Sequence, residues 1–131
     1  MASRLERLKK LLAVQEQLKA LHEVRHAGFI AEASAAKQDA ADLVDRFNAN
    51  ESLSALFPDI YHRRIGSALA REDANRGLAK SEAAKLATAT ARTNMVERSY
   101  REVRMVDARE KGDRERLDLI SQRRTRPGSG K

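Results

Sequence analysis

One break between two long stretches of helical periodicity constrains this chain more than any other sequence feature. Between Asn48 and Asp59 the chain contains two asparagines, two serines and Pro58. Asparagine tolerates the left-handed conformation that ends many helices, and proline suits the first turn of a new helix. Neither flanking helix can bury its apolar stripe alone. The break therefore predicts a hairpin of two helices, with its turn at residues 49–58.

A first helix is predicted from about residue 4 to residue 48. Ser3 and Glu6 have the spacing of a capping box, which starts the helix near Arg4. Its first half carries a broad apolar stripe of Leu5, Leu8, Leu11, Leu12, Val14, Leu18 and Leu21, whose phase we expect to drift at residues 21–25. The second half has a strict spacing of four and three at Phe29, Ala33, Ala36, Ala40, Leu43 and Phe47. Such spacing keeps one face of a helix, here called the seam, turned toward a partner helix.

A second helix is predicted from about residue 59 to residue 123. One series with the same spacing runs through Tyr61, Ile65, Ala68, Glu72, Asn75, Ala79, Glu82, Leu86, Ala89, Thr93, Val96, Tyr100 and Val103. Glu72, Asn75 and Glu82 are its weak points, because polar seam residues set the register of two helices at a cost in stability. Beyond Val103 the series becomes charged, beginning with Asp107.

Antiparallel pairing around the break gives facing residues whose numbers add to about 107, at a rise of ~1.5 Å per residue. By this sum the second helix outruns the first at about residue 105, close to where its seam becomes charged. We therefore predict an all-α fold in a single domain over residues 1–131. It is a long antiparallel two-helix coiled-coil hairpin with an overhanging C-terminal helix and a disordered tail at residues 124–131.

Composition and charge exclude several classes of protein. The chain has no cysteine, so thiolate metal sites and disulfides are impossible. It has neither an apolar run that could span a bilayer nor a secretory signal, which predicts a cytoplasmic location. Of the net charge of +7, residues 1–10 and residues 106–131 each carry +3. A hairpin brings both termini to one end, and this basic end would suit an acidic or phosphate-rich partner.

The segment His22-Glu23-Val24-Arg25-His26 matches the H-E-x-x-H pattern of zinc proteases, in which two histidines bind zinc and the glutamate acts as a base. A protease also needs a third ligand and a strand that holds the peptide. His62 is the only other histidine, and the pairing sum places it ~30 Å away along the helix. We predict no catalytic, cofactor or metal site, and a zinc hydrolase is only a remote alternative.

Two surfaces are candidates for binding another protein. At the tip of the hairpin, Phe57 and Tyr61 either seal the end of the coil or form a docking patch, with Arg63 and Arg64 as its basic rim. The second candidate is the basic end, formed by Arg4, Arg7, Lys9, Lys10, Arg109, Lys111, Arg114 and Arg116.

The basic end also permits other interpretations. A solvated helix with ion pairs between residues four apart would carry the same charges. Nucleic acid is less favoured, because acidic residues are interleaved through residues 107–118 and no aromatic residue lies there to stack on bases. A generic coiled-coil adaptor or a basic nucleic-acid-associated protein is therefore an alternative function.

Three stretches give the chain a resemblance to a known family. They are Arg4–Glu16, which is similar to an R-L-x-x-L-L-x-x-x-E opening, and the segments Val96–Arg104 and Arg109–Leu117. In these stretches the chain resembles the flagellar export stalk protein family, FliJ, and its injectisome counterpart YscO.

The resemblance implies a non-catalytic and monomeric coiled coil at the cytoplasmic face of a type III export apparatus. Its terminal ends would bind the hexameric export ATPase, and other surfaces would meet the export gate protein and export chaperones. It would have no cofactor and no small-molecule substrate, and it would meet the membrane only indirectly.

Overall fold

The computed structural model describes residues 3–49 and 55–125, and nearly all of them lie in two helices. Helix α1 is Arg4–Asn48 and helix α2 is Pro58–Thr125. The described residues contain no strand, so the prediction of an all-α fold with two long helices is confirmed. Helix α2 ends two residues beyond the predicted bound. The centre of the predicted turn, residues 50–54, and the predicted tail from residue 126 lie outside the described residues.

Local hydrogen bonds explain where the helices begin and end. The backbone N–H of Glu6 donates to the Ser3 hydroxyl oxygen at 3.1 Å, which confirms Ser3 as the cap of α1. At the other end, the N–H of Ala49 bonds to the Arg46 carbonyl at 3.3 Å in a tight last turn. Pro58 occupies the first position of α2, where its missing N–H costs nothing.

The chain divides into two compact units, where the sequence predicts one domain. The first, Glu16–Ala91, holds most of the buried side chains, namely Ala33, Ala36, Ala40, Ala68, Ala79, Glu82 and Ala89. Its helices run antiparallel, because Phe47 contacts Tyr61 while the earlier residue His22 contacts the later residue Glu82. The numbers of these pairs add to within three of the predicted sum of about 107.

The second unit comprises Met1–Gln15 and Arg92–Lys131. Its half-buried apolar residues include Leu5, Leu8 and Leu12 of α1 and Val96, Tyr100 and Val103 of α2. The hydroxyl of Thr93 donates to the backbone carbonyl of Gln15 at 3.3 Å. The two numbers of this pair also follow the predicted sum, so the helices are antiparallel in this unit as well.

The stripe predicted for the first half of α1 is wrong in part. Four of its members are exposed, namely Leu11, Val14, Leu18 and Leu21. The half-buried residues in this part of α1 are instead Gln15, Lys19, His22 and His26. The spacing of three and four therefore continues without a phase drift from Leu5 to Phe47. Polar residues can occupy these seam positions because α2 carries polar seam residues too, such as Thr93 and Glu82. Extending the series backward from Phe29 would have found them.

Neither helix contains, in its described residues, a stretch that is long and apolar enough to cross a membrane.

Candidate functional site

The largest exposed candidate surface is the last part of α2, residues 106–125, here called the extension. Every residue of the extension is exposed except Gly112, which is half-buried. The series of half-buried seam residues on α2 ends at Val103. The extension is therefore the part of α2 that has no α1 segment covering it, as predicted for an overhanging helix.

Charged and apolar side chains alternate along the extension. The predicted basic residues Arg109, Lys111, Arg114 and Arg116 are all exposed. Arg116 forms an ion pair with Asp113 at 3.7 Å on the same helix. Leu117, Leu119 and Ile120 each expose at least half of their surface. A helix with this mixture offers a partner both apolar area and charges.

The basic residues predicted at the start of α1 are also exposed, namely Arg4, Arg7, Lys9 and Lys10. One of them, Arg4, lines a groove of about 370 Å³ with Ser3 and Leu5 of α1 and Glu102, Val103, Val106 and Asp107 of α2. The structure thus brings Arg4 next to the first residues of the extension.

The aromatic residues predicted at the tip differ in their surroundings. Tyr61 is half-buried, and its ring centroid lies 5.9 Å from that of Phe47. His62, which the sequence did not indicate here, lies 5.2 Å from the same ring. Phe57 is 52% exposed. Tyr61 therefore seals the seam, and Phe57 remains available at the surface.

The two arginines at the tip are exposed. Arg64 lines a groove of about 290 Å³ together with Arg46, Arg71, Asp39 and Asp42, while Arg63 does not line it. Within this groove Arg71 contacts Asp39 at 3.5 Å. Such exposed ion pairs between the helices contribute little stability, typically 0 to ~1 kcal/mol.

The histidines of the H-E-x-x-H segment lie on the seam. His22 Nδ1 is 2.8 Å from the Glu82 Oε2 atom, so the ring nitrogen donates to that carboxylate, and His26 is half-buried one turn later. Glu23 is exposed. Among the described residues, no group of three or more His, Asp or Glu side chains is placed to hold a metal ion. The contact with Glu82 gives His22 a structural role.

Glu82 is the most heavily paired carboxylate of the described chain. It exposes only 5% of its surface, and its Oε1 atom lies 3.8 Å from Arg25 Nη1 and 3.7 Å from Lys85 Nζ. The hydrogen bond from His22, then the charges of Lys85 and Arg25, lower the pKa of Glu82 below 4.5, although burial opposes them. Glu82 is therefore ionised at neutral pH. The sequence indicated a polar seam residue here, and the pairing sum of about 107 places Arg25 opposite it, but nothing indicated the contact with His22.

No family model matches the chain, and neither a curated protein nor a solved structure matches it.

Proposed function

We propose that this chain is a non-catalytic coupling protein, the central stalk of a flagellar type III export apparatus. The observation that carries the proposal is the exposed helical extension, whose apolar and basic side chains are not covered by any of the residues that the structure describes. A helix that exposes Leu117, Leu119 and Ile120 in water is stabilised when a partner covers them. The resemblance of residues 4–16, 96–104 and 109–117 to the export stalk family supplies the identity of that partner.

In this proposal the extension and the start of α1 bind the hexameric export ATPase in the cytoplasm. Arg109, Lys111, Arg114 and Arg116 would contact acidic groups of the ring, together with Arg4 at the groove beside the extension. Exposed charges of this kind mainly raise the association rate and select the partner, while the apolar residues supply affinity. The chain would act as a monomer and would carry no catalytic group itself.

The tip is the proposed contact for the export gate protein or an export chaperone. Phe57 is the exposed aromatic residue there, with Arg63 and Arg64 nearby in sequence. Exposed aromatic residues flanked by arginine are frequent anchors of protein interfaces. Tyr61 would pack against Phe47 beside this surface and hold the end of the seam together.

Mixing the chain with the export ATPase of the same genome tests the proposal. We expect a complex at low salt and a higher ATPase rate. The variant Arg109→Glu with Arg114→Glu should abolish both effects. Its matched control is Lys37→Glu with Lys80→Glu, which reverses two exposed charges outside the extension and should leave both effects intact.

Two results would count against the stalk function. The first is no complex and no stimulation at low salt. The second is binding to duplex DNA that weakens steeply with salt, because such a dependence reports contacts with phosphates and favours the nucleic-acid alternative.

A further inference from the structure

The alanine-rich seam of the unit Glu16–Ala91 does not by itself define how the two helices align. Ala33 and Ala40 are both buried and lie one heptad apart. A shift of α1 by one heptad in one direction therefore places Ala33 where Ala40 lies, opposite the same part of α2. Antiparallel seams of small residues need an additional feature that distinguishes one register from the next.

Glu82 has the properties of such a feature. Its carboxylate is buried in the seam and reaches two side chains of the other helix, His22 at 2.8 Å and Arg25 at 3.8 Å. The remaining cation, Lys85, lies on its own helix and moves with it in any register. Only the contacts of Glu82 with His22 and Arg25 therefore depend on the register of the two helices.

A heptad shift in either direction removes both the His22 ring and the Arg25 guanidinium from Glu82. In one direction the positions of His22 and Arg25 are taken by Gln15 and Leu18, and in the other by Phe29 and Glu32. Neither pair can neutralise a buried carboxylate, and Glu32 would repel it. In a shifted register Glu82 would keep only Lys85 at 3.7 Å on its own helix, and it would lose the hydrogen bond from His22 and the charge of Arg25. A buried carboxylate that loses most of its partners strongly destabilises the alignment.

The other seam glutamate provides an internal comparison. Glu72 is half-buried and pairs with Arg76 at 2.6 Å on its own helix. Because both residues belong to α2, a shift of the helices leaves this ion pair intact. Glu72 therefore does not favour one register over another. The two glutamates thus share a seam and differ in where their cations lie.

We propose that Glu82, His22 and Arg25 form a register lock that holds α1 and α2 in one of several heptad-related alignments. The lock is independent of the proposed stalk function.

The absence of cysteine allows the register to be measured directly by disulfide trapping in the full chain. Three double cysteine variants, all made from buried alanines, report the three alignments. Ala40→Cys with Ala68→Cys reports the observed register. Ala33→Cys with Ala68→Cys and Ala36→Cys with Ala79→Cys report the shifted ones. A heptad moves a pair apart by about 10 Å, which exceeds the reach of a disulfide.

With Glu82 present, we expect the Ala40–Ala68 reporter alone to form an intramolecular disulfide under mild oxidation. In Glu82→Ala, disulfide formation in the shifted reporters should rise about tenfold or more, since no buried charge penalises those registers. Glu72→Ala is the matched control and should leave the wild-type pattern unchanged. An unchanged pattern in a helical Glu82→Ala protein would overturn the proposal.

A second variant covers the case in which Glu82→Ala loses its helicity. Exchanging Gln15 with His22 and Leu18 with Arg25 keeps the composition and moves both partners of Glu82 by one heptad. The dominant disulfide should then move from the Ala40–Ala68 reporter to the Ala33–Ala68 reporter. A disulfide that stays at the observed register, or a loss of helicity measured by circular dichroism, would show that other contacts set the alignment.

Discussion

The alanine seam of residues 33–40 and 68–79 and the extension of residues 106–125 are both helical, yet their seam positions face opposite environments. The first region buries Ala33, Ala36, Ala40, Ala68 and Ala79 against the facing helix. The second region exposes nearly every side chain. The spacing of three and four alone does not distinguish them. The difference teaches that coverage ends where the facing helix ends, since α1 begins at Arg4, and that the seam of α2 becomes charged at the same place.

The largest expected effect is a loss of stability when a buried alanine is enlarged. Ala68→Leu should destabilise the hairpin by about 2 kcal/mol, because Ala68 is 0% exposed and the added atoms force the helices apart. Ala70→Leu, at an exposed position two residues later, is the control and should change stability little. Urea unfolding followed by circular dichroism measures both. Equal effects of the two variants would show that the seam is not the closest approach of the helices.

A smaller effect is expected at the aromatic end of the same unit. Phe47→Leu should cost about 1 kcal/mol, since it removes the ring contacts with Tyr61 and His62. Phe57→Leu is the control, because Phe57 is exposed and has little to lose. Thermal unfolding compares them. If Phe57→Leu proves the more costly change, Phe57 seals the turn and is not a surface residue.

A pH-dependent effect is expected at Glu82. Since its pKa is lower in the folded chain than the ordinary 4.5, ionised Glu82 stabilises the fold above that pH and loses its contribution as the pH falls through the folded value. The facing charges are His22 and Arg25 on α1 and Lys85 on α2. The melting temperature of the wild type should therefore exceed that of Glu82→Gln at about pH 5, and the difference should shrink toward about pH 3. A difference that stays constant over this range would contradict the pairing.

The smallest effect on stability is expected in the extension. Leu117→Ser with Ile120→Ser should change the unfolding free energy by no more than about 0.5 kcal/mol, because both side chains are already exposed. The same variant should lose affinity for the export ATPase in a binding titration. Destabilisation comparable to that of Ala68→Leu would mean that the extension packs on its own chain.

The sequence predicted α2 better than α1 for a physical reason. In α2 every residue of the predicted seam from Tyr61 to Val103 is buried or half-buried, since one continuous spacing was available. In the first half of α1, leucine and valine are so frequent that two overlapping stripes can be drawn. Hydrophobicity alone predicts Leu18 and Leu21 as seam residues, whereas the spacing of three and four predicts Lys19 and His22. Periodicity was the better guide than side-chain hydrophobicity.

Spacing predicted only one of the partners of Glu82. The pairing sum of about 107 places Arg25 opposite Glu82, but it does not place His22, which lies about one turn earlier on α1 and reaches the carboxylate at 2.8 Å. The difference between Phe57 and Tyr61 follows from the spacing, because Tyr61 begins the predicted seam series of α2 and Phe57 does not belong to it. The contact between the Phe47 and Tyr61 rings agrees with that position.

In the described part of the chain, the buried hydrophobic residues are all alanines, and this has a thermodynamic consequence. Each contributes a single methyl group, and the larger apolar residues of the seam, such as Leu8 and Val96, are only half-buried. Unfolding therefore exposes little additional apolar surface for the length of the chain. The heat capacity change of unfolding scales with that surface, and the curvature of stability against temperature scales with the heat capacity change. The protein should therefore have a flat stability curve, with a broad heat transition and weak sensitivity to cold.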